Sequence, residues 1–436
     1  MYQVSLISGV LPWVIGTIAF ASFAVVLARW PRRLWWSIPV AFVVAVGLLI
    51  AISWSVQLPR KLHGTWPRSF FAWSAAPIVA VVATILAWRD SRIGHRVAGV
   101  LAIAFLIVFA ADRVDVYYGA LPTVGAALRV PLPGELATAV PFRPTTTQTR
   151  APATGVVFSL RIPGTVSHFR ARPAYVWLPP VWFSRPRPRL PALELVAGSP
   201  SFPGDWLYGG QAVRTLDAYA KTHHGRGPIV VVADQNGSFL GDTECVDGPR
   251  GRADTYISVD VIRSADRLFG VAPGPRSWTI AGYSAGGTCA LVVALRHPTV
   301  YGAFGDFSGD PRPNTGPWSS TLHDLFGGSL TLSTQYNPFA LLRTRHYRNL
   351  LAWFDTGRRD AAYRVAGMRQ LALLARRAGA HVIEQAPPGS HTFYFWQQSL
   401  QAALPSLLAA TTHPARLVEV ASAKPLHPIV AAVAAQ

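Results

Sequence analysis

The sequence predicts an α-helical membrane region of four spans followed by an α/β domain with a mostly parallel sheet. Three observations predict it. The first 111 residues hold four long apolar segments without Asp, Glu, Lys, Arg or His. From Gly155 onward, short apolar runs alternate with helical stretches. Between two of those elements sits a turn of small residues with a serine at its apex, Gly282-Tyr283-Ser284-Ala285-Gly286.

Composition agrees. Half of the 436 residues are apolar and 14% are charged, against about 25% charged in an average soluble domain. So few charges cannot coat that much apolar mass. A disordered chain is excluded and a wholly soluble one is disfavoured. The formal net charge is +19, and Lys61, Lys221 and Lys424 are the only lysines. Arginine excess of this kind reads as the codon bias of a GC-rich genome. The basic residues are spread along the chain without a basic–aromatic motif. Nucleic acid is therefore not an expected partner, and anionic lipid or an envelope polymer fits the charge better. Two cysteines exclude a disulfide-dense scaffold and a Cys-based zinc site. No repeat with a period of about 20–50 residues is visible.

The four apolar segments are Val10–Ala28, Leu34–Val56, Phe70–Ala87 and Val97–Ala111. A spanning helix needs roughly 17–25 such residues. The fourth is short unless Ile93 to Arg96 join it, with Arg96 snorkelling to the headgroups. The N-terminus lacks the basic start of a cleaved signal peptide. Tryptophans near the segment ends, among them Trp13, Trp30, Trp35, Trp36, Trp54, Trp66, Trp73 and Trp88, suit an interfacial belt. Arg29, Arg32 and Arg33 in the first loop and Arg89, Arg92 and Arg96 in the third favour a cytoplasmic side for both. Arg60, Lys61 and Arg68 of the second loop, and Arg113, then lie outside. Both ends, and everything after the fourth span, are expected to be extracytoplasmic, on a multi-pass plasma-membrane protein. The spans carry no ionisable group at mid-membrane, so an anchor is expected rather than a transporter.

Residues 112–154, rich in Pro and Thr towards their end, read as an extended tether, with room for a short helix around Tyr117–Leu128. The α/β domain is expected over 155–410. Its strands are Val156–Ile162, Ala174–Leu178, Ala192–Ala197, Ile229–Ala233, Trp278–Ala281, Phe304–Phe307, Leu350–Phe354 and Val382–Gln385. Continuous apolar runs of this length suit strands buried on both faces. Gln211–Lys221, Tyr256–Phe269, Ala285–Arg296, Ala361–Arg377 and Phe395–Leu408 read as helices, and the alternation indicates a parallel sheet covered on both sides. Residues 411–436 read as a loose tail.

The chemistry centres on Ser284. A strand leads into the turn and an apolar helix leads out, the setting of a nucleophile elbow. A serine hydroxyl is a weak nucleophile and needs a base oriented by a third group. On such a fold the order along the chain is Ser, acid, His. Downstream, His391 follows the last strand, and Asp355 and Asp360 follow the strand before it; Asp360 is favoured as the acid. The backbone N–H groups of Ala285 and of Ser199, after Gly198 at the end of Ala192–Ala197, are expected to form an oxyanion hole. Asp205, Trp206, Asp234 and Asn236 lie in loops at the expected substrate face and are candidates for binding or for bracing. The apolar segment Trp318–Phe326 is a candidate cap over an acyl chain or a packed helix. No phosphate loop and no metal-spaced His pair occur, so no cofactor and no metal are expected.

These residues carry a resemblance. The segments "AYVWLPP" at 174–180, "LELVAGSPSFPGDW" at 193–206, "VVVADQNGSFLGDTECVD" at 230–247, "GYSAGGTCA" at 282–290, "WFDTGRRD" at 353–360 and "GSHTFYFW" at 389–396 resemble the putative-esterase family of α/β-hydrolases. That family includes esterase D-like enzymes, feruloyl esterases and the mycolyltransferases of mycobacterial cell walls. The feruloyl-esterase branch places a G-T-x-D acid about 30 residues before the His. The resemblance thus supports Asp360, although here Thr356-Gly357 reverses the order and one residue is added. Fusion of four spans to such a domain looks actinobacterial. The resemblance implies a serine esterase working through an acyl-serine, or an acyltransferase delivering to an envelope sugar or lipid. A non-catalytic membrane scaffold is the competing class, disfavoured by the intact Ser, His and Asp. Cys245 and Cys289 are expected to form a disulfide if the loop after Ile229–Ala233 folds back over the elbow helix; two buried thiols are the alternative.

Overall fold

The computed structural model describes residues 4–28, 30, 32, 35–57, 68–128, 140–141, 152–274 and 276–412. The chain divides into two compact units, Met1–Val130 and Pro131–Gln436. The basic residues of the second loop at 60–61, residues 129–139 and 142–151 of the tether and the tail beyond 412 lie outside the described residues.

The first unit is helical: α1 (Val10–Ala28), α2 (Ser37–Gln57), α3 (Arg68–Ala87), α4 (Ile93–Tyr118) and α5 (Val124–Ala127). Val10–Ala28, Ser69–Ala87 and Ile93–Tyr118 are long and apolar enough to cross a membrane; the apolar part of α2 with described side chains is Ser37–Ala51. Ile93–Arg96 do join the last helix, which lengthens it. It also runs past Ala111, so Asp112–Val116, expected to begin the tether, are helical instead, and the helix with room around Tyr117–Leu128 is met by the end of α4 and by α5. Gly119 in the left-handed region ends it. Small residues line the helix contacts: Ala19 and Ala80 pack with Leu106, and Ala41, Ala83, Ala87 and Ala102 form a second cluster. Close approach through small residues is how helices associate where burial from water supplies no drive. Large apolar side chains such as Phe42, Ile85, Leu101 and Ile107 face outward, a surface compatible with lipid.

The second unit is built on a nine-stranded sheet. Its strands are β1 (Val140–Pro141), β2 (Val156–Leu160), β3 (Ala174–Leu178), β4 (Ala192–Val196), β5 (Ile229–Ala233), β8 (Trp278–Tyr283), β9 (Tyr301–Phe307), β10 (Leu351–Asp355) and β11 (His381–Gln385). β6 (Asp247–Gly248) and β7 (Gly251–Arg252) form a separate ribbon. The order is β1-β2-β3-β5-β4-β8-β9-β10-β11. Pairing is antiparallel at β2–β3 and β3–β5 and parallel elsewhere. All eight expected strands are present.

The helices of this unit are α6 (Ala212–Thr222), α7 (Ala253–Thr255), α8 (Ile262–Phe269), α9 (Ala285–Arg296), α10 (Trp318–Phe326), α11 (Leu330–Gln335), α12 (Pro338–Thr344), α13 (Ala362–Arg377) and α14 (Phe393–Thr412). The helix expected over Tyr256–Phe269 starts earlier and passes through a π-helical turn at Tyr256–Val261. There Asp260 accepts from the N–H groups of Val166 and Ser167, each at 2.9 Å. One face of the sheet packs into a core with α8, α9 and α13. The other meets α14, where Thr279 of β8 donates to the Leu407 carbonyl. Segment 318–326 is helical, with Leu325 and Phe326 buried against Val246, Val292 and Tyr336. α11 and α12, which the sequence reading did not name, begin with the caps Ser329 and Asn337, which accept from Leu332 and Phe339 N–H.

Candidate active site

Ser284 leaves β8 with φ +55°, a left-handed conformation that costs a non-glycine residue energy and is held by its surroundings. Two glycines permit the turn. A Cβ on Gly282 would meet the Gly286 carbonyl oxygen at 2.2 Å, and one on Gly286 would meet the Val196 oxygen at 2.3 Å. Ser284 N–H donates to the Phe307 carbonyl, tying the turn to the neighbouring strand.

His391, from the loop after β11, reaches Ser284, and Asp360, from the loop after β10, reaches His391. His391 Nε2 lies 3.0 Å from Ser284 Oγ, and His391 Nδ1 lies 2.9 Å from Asp360 Oδ2. His391 is 13% exposed, and its ring edge packs on Trp396 with centroids 5.0 Å apart. Trp396 in turn stacks on Tyr283 at 4.3 Å. The imidazole is thus fixed by rings as well as by hydrogen bonds. Burial and the nearby Arg364 guanidinium lower its pKa, against the opposing pull of Asp360. Burial raises the Asp360 carboxyl, but His391, Arg364 and the Ala361 N–H outweigh it and hold the group at about 2. Both shifts leave a neutral imidazole facing an ionised carboxylate near neutral pH.

Arg364, which the sequence reading did not single out, stands behind the acid. Its Nη1 is 3.3 Å from Asp360 Oδ1 and its Nε is 2.8 Å from Asp310 Oδ1. Tyr363 also donates to Asp310 Oδ1, at 2.9 Å. The four-residue spacing of Asp360 and Arg364 was a readable signal; Asp310, 54 residues from Arg364, was not. Asp355, the other acid considered, is fully buried at the end of β10. Burial is the main cause that raises it to about 7, and the nearby Asp306 carboxyl adds to the rise. The histidine's partner position is filled by Asp360 instead, at 2.9 Å from His391 Nδ1. His297, next to the elbow helix, is taken by Asp254 at 2.9 Å.

Gly198 lies against the serine: a Cβ there would come within 3.1 Å of Ser284 Cβ. Its carbonyl accepts from Asn236 Nδ2 at 2.8 Å and from Ser201 Oγ. The carbonyl of Ala197 accepts from Gln235 Nε2. In a trans peptide C=O and N–H point in opposite directions, so tethering the Gly198 oxygen fixes the direction of Ser199 N–H. Ala285 is the first residue of α9, where an N–H has no intrahelical partner.

Of the two roles open to the four residues in loops at the expected substrate face, the contacts they make are those of bracing. Trp206 is fully buried and donates to the Val196 carbonyl at 3.0 Å. Its ring packs edge-on against Tyr283. Asp234 is clamped by Arg172 at 2.6 Å, and Asn236 holds Gly198. Asp205 accepts from Phe202 N–H at 2.8 Å to close a turn. Loop position was legible; which way each side chain turns within the loop was not. Cys245 and Cys289 are bonded, with Cα atoms 5.1 Å apart. The loop that carries Gln235 and Asn236 is thereby fastened to the helix that follows Ser284. A cavity of about 270 Å³ opens beside Trp318, bordered by Pro311, Asn314, Phe339 and Tyr363. Among the described residues no group of His, Cys, Asp and Glu side chains is arranged to hold a metal.

Residues 167–423 match the family model described as "Putative esterase". An uncharacterized protein of Corynebacterium glutamicum is 31% identical over 404 residues, which cover 89% of this chain and 92% of that one. A solved ferulic acid esterase superposes with a TM-score of 0.51 at 19% identity, covering 59% of this chain and 99% of its own. An S-formylglutathione hydrolase from Agrobacterium tumefaciens gives a TM-score of 0.48 at 17% identity, covering 60% and 97%.

Proposed function

The chain belongs to the putative-esterase family, and from that premise we propose that it is a membrane-anchored serine hydrolase that cleaves acyl esters at the outer face of the plasma membrane. The observation that carries the reading is the line of Ser284 Oγ, His391 and Asp360 at hydrogen-bond distances of 3.0 and 2.9 Å. In this reading His391 takes the Ser284 proton as Oγ attacks the ester carbonyl. Asp360 stays ionised and stabilises the imidazolium. Ala285 and Ser199 N–H receive the oxyanion. His391 then protonates the leaving alcohol, and an acyl-Ser284 ester remains. Water, deprotonated by His391, releases the acid and restores the serine.

In this reading four spans, α1 to α4, hold the enzyme in the bilayer, and the basic loops between them favour an outward-facing catalytic unit. The disulfide supports an outward position, since such bonds persist in oxidising compartments. The substrate is then an ester of the cell envelope. The test is to incubate the purified full chain with envelope lipid extract and follow the esters. Loss of an ester with release of free acid supports hydrolysis. A new ester in place of free acid would assign a transferase, and no change in any ester would remove the enzymatic reading.

A further inference from the structure

Arg364 is an arginine with 6% of its side chain exposed, beside two carboxylates. It touches neither Ser284 nor His391 in any hydrogen bond, and the chemistry proposed above does not use it. A buried arginine that only fills space costs more in desolvation than an apolar residue of its size. Its geometry suits another task. The guanidinium fork takes Asp310 Oδ1 through Nε at 2.8 Å and Asp360 Oδ1 through Nη1 at 3.3 Å. Asp360 Oδ2, the other oxygen, faces His391 Nδ1 at 2.9 Å. The Ala361 N–H also donates to Oδ1, at 2.6 Å. One carboxylate oxygen is thus fastened by the protein and the other is left for the histidine.

Asp310 is anchored in its turn. Tyr363 donates to it, its N–H donates to Thr288 Oγ1 at 2.9 Å, and its carbonyl accepts from the same hydroxyl. Thr288 belongs to α9, the helix that begins after Ser284. The frame runs from the elbow helix through Thr288, Asp310 and Arg364 to Asp360. We propose that Arg364 is a positioning residue that acts through Asp360, tying the orientation of the acid to the helix that carries the nucleophile. The proposal rests on the serine-hydrolase reading above and adds the residue that registers its parts.

The electrostatics give the role a distinguishing signature. The groups around His391 are Asp360 and Arg364, with Asp310 and Tyr363 behind them and the buried Asp306 and Asp355 at the ends of β9 and β10. Arg364 disfavours the imidazolium. Removing its charge raises the His391 pKa, so the neutral base is lost at higher pH and the acid limb of kcat/KM moves up. Asp306 and Asp355 remain in every variant, so the difference between profiles isolates Arg364.

The experiment uses the full chain in detergent, a short p-nitrophenyl ester, and active sites counted by fluorophosphonate labelling. Per labelled site, Arg364→Met should lower kcat by roughly 10–100-fold with KM little changed. It should also shift the acid limb upward by on the order of one pH unit. Arg364→Lys keeps the charge and loses the fork, so its kcat should fall while its acid limb stays near that of the parent. If Arg364→Met fails to fold, Arg364→Met with Asp310→Asn leaves neither charge unpaired, and it should show the same loss in kcat with a smaller shift. A folded variant lacking Arg364, with parental kcat per labelled site and an unmoved acid limb, overturns the proposal. A parent protein not labelled at Ser284 would instead topple the serine-hydrolase reading, and this proposal with it.

Discussion

Asp360 and His391 stand 31 residues apart in the chain and 2.9 Å apart in space. Sheet register brings them together. β10 and β11 pair in parallel with Asp355 opposite Gln385. Asp360 lies five residues past the first and His391 six past the second. The two loops therefore leave the same end of adjacent strands and meet over the turn that carries Ser284, where open α/β sheets place their sites.

Asp360→Asn should lower kcat by roughly 10³–10⁴-fold, the scale of losing the acid of such a triad. Asp355→Asn should leave the rate per folded molecule within a few-fold. Steady-state kinetics normalised to active-site titration separates the two. A larger loss from the Asp355 change would move the acid there.

Joint replacement of Cys245 and Cys289 by alanine should lower stability by up to about 4 kcal/mol, the chain-entropy value for closing this loop of 44 residues. The bond also fastens the loop whose Gln235 and Asn236 fix the peptides before Ser199, so kcat should fall more than KM rises. Urea unfolding and kinetics with and without reductant test both parts. Equal stability before and after reduction would count against the bond.

Buried carboxyls make stability fall with rising pH. Burial raises Glu194 to about 8, opposed by the Tyr301 hydrogen bond, and raises Asp306 and Asp355 to about 7. A carboxyl whose folded pKa lies above its unfolded value of about 4 contributes stability that is full below pH 4. That contribution is lost as pH rises through 7 to 8. Each unit of difference is worth about 1.4 kcal/mol. Asp360 has the opposite sign: its contribution is present above pH 4 and lost as pH falls towards 2. Tm measured from pH 5 to pH 8.5 should therefore decline. Glu194→Gln keeps an acceptor for Tyr301 and should flatten the decline; an unchanged slope would show that Glu194 does not titrate in this range.

The sequence made legible what is local. The strands stood out because a strand buried on both faces must be apolar throughout, as Ile229–Ala233 is. The elbow stood out because Gly282 and Gly286 answer a steric demand within five residues. What depends on distant partners was hidden. Nothing in "DQNG" tells that Asn236 reaches Gly198, 38 residues away, or that Asp310 reaches Arg364. For Trp206 and Asp234 the loop was legible but the choice between binding and bracing was not, since burial within a loop is decided by what packs above it. α11 and α12 are too short for periodicity to show, although Asn337-Pro338 is a helix start by its chemistry.

The sidedness of the membrane reading is open to a direct assay. In right-side-out spheroplasts, added protease should digest the unit after the tether and spare the spans. Protection of that unit until the membrane is permeabilised would mean that the span count, and with it the extracytoplasmic site, is wrong.

The central claim is that Ser284 forms the acyl-enzyme. The most direct measurement is peptide mass spectrometry of the full chain after a fluorophosphonate probe or a rapidly quenched p-nitrophenyl ester, alongside Ser284→Ala. The account predicts one adduct, on the peptide that contains Ser284, and loss of both adduct and turnover in the variant. An adduct on another residue, or turnover that persists in Ser284→Ala, would contradict it.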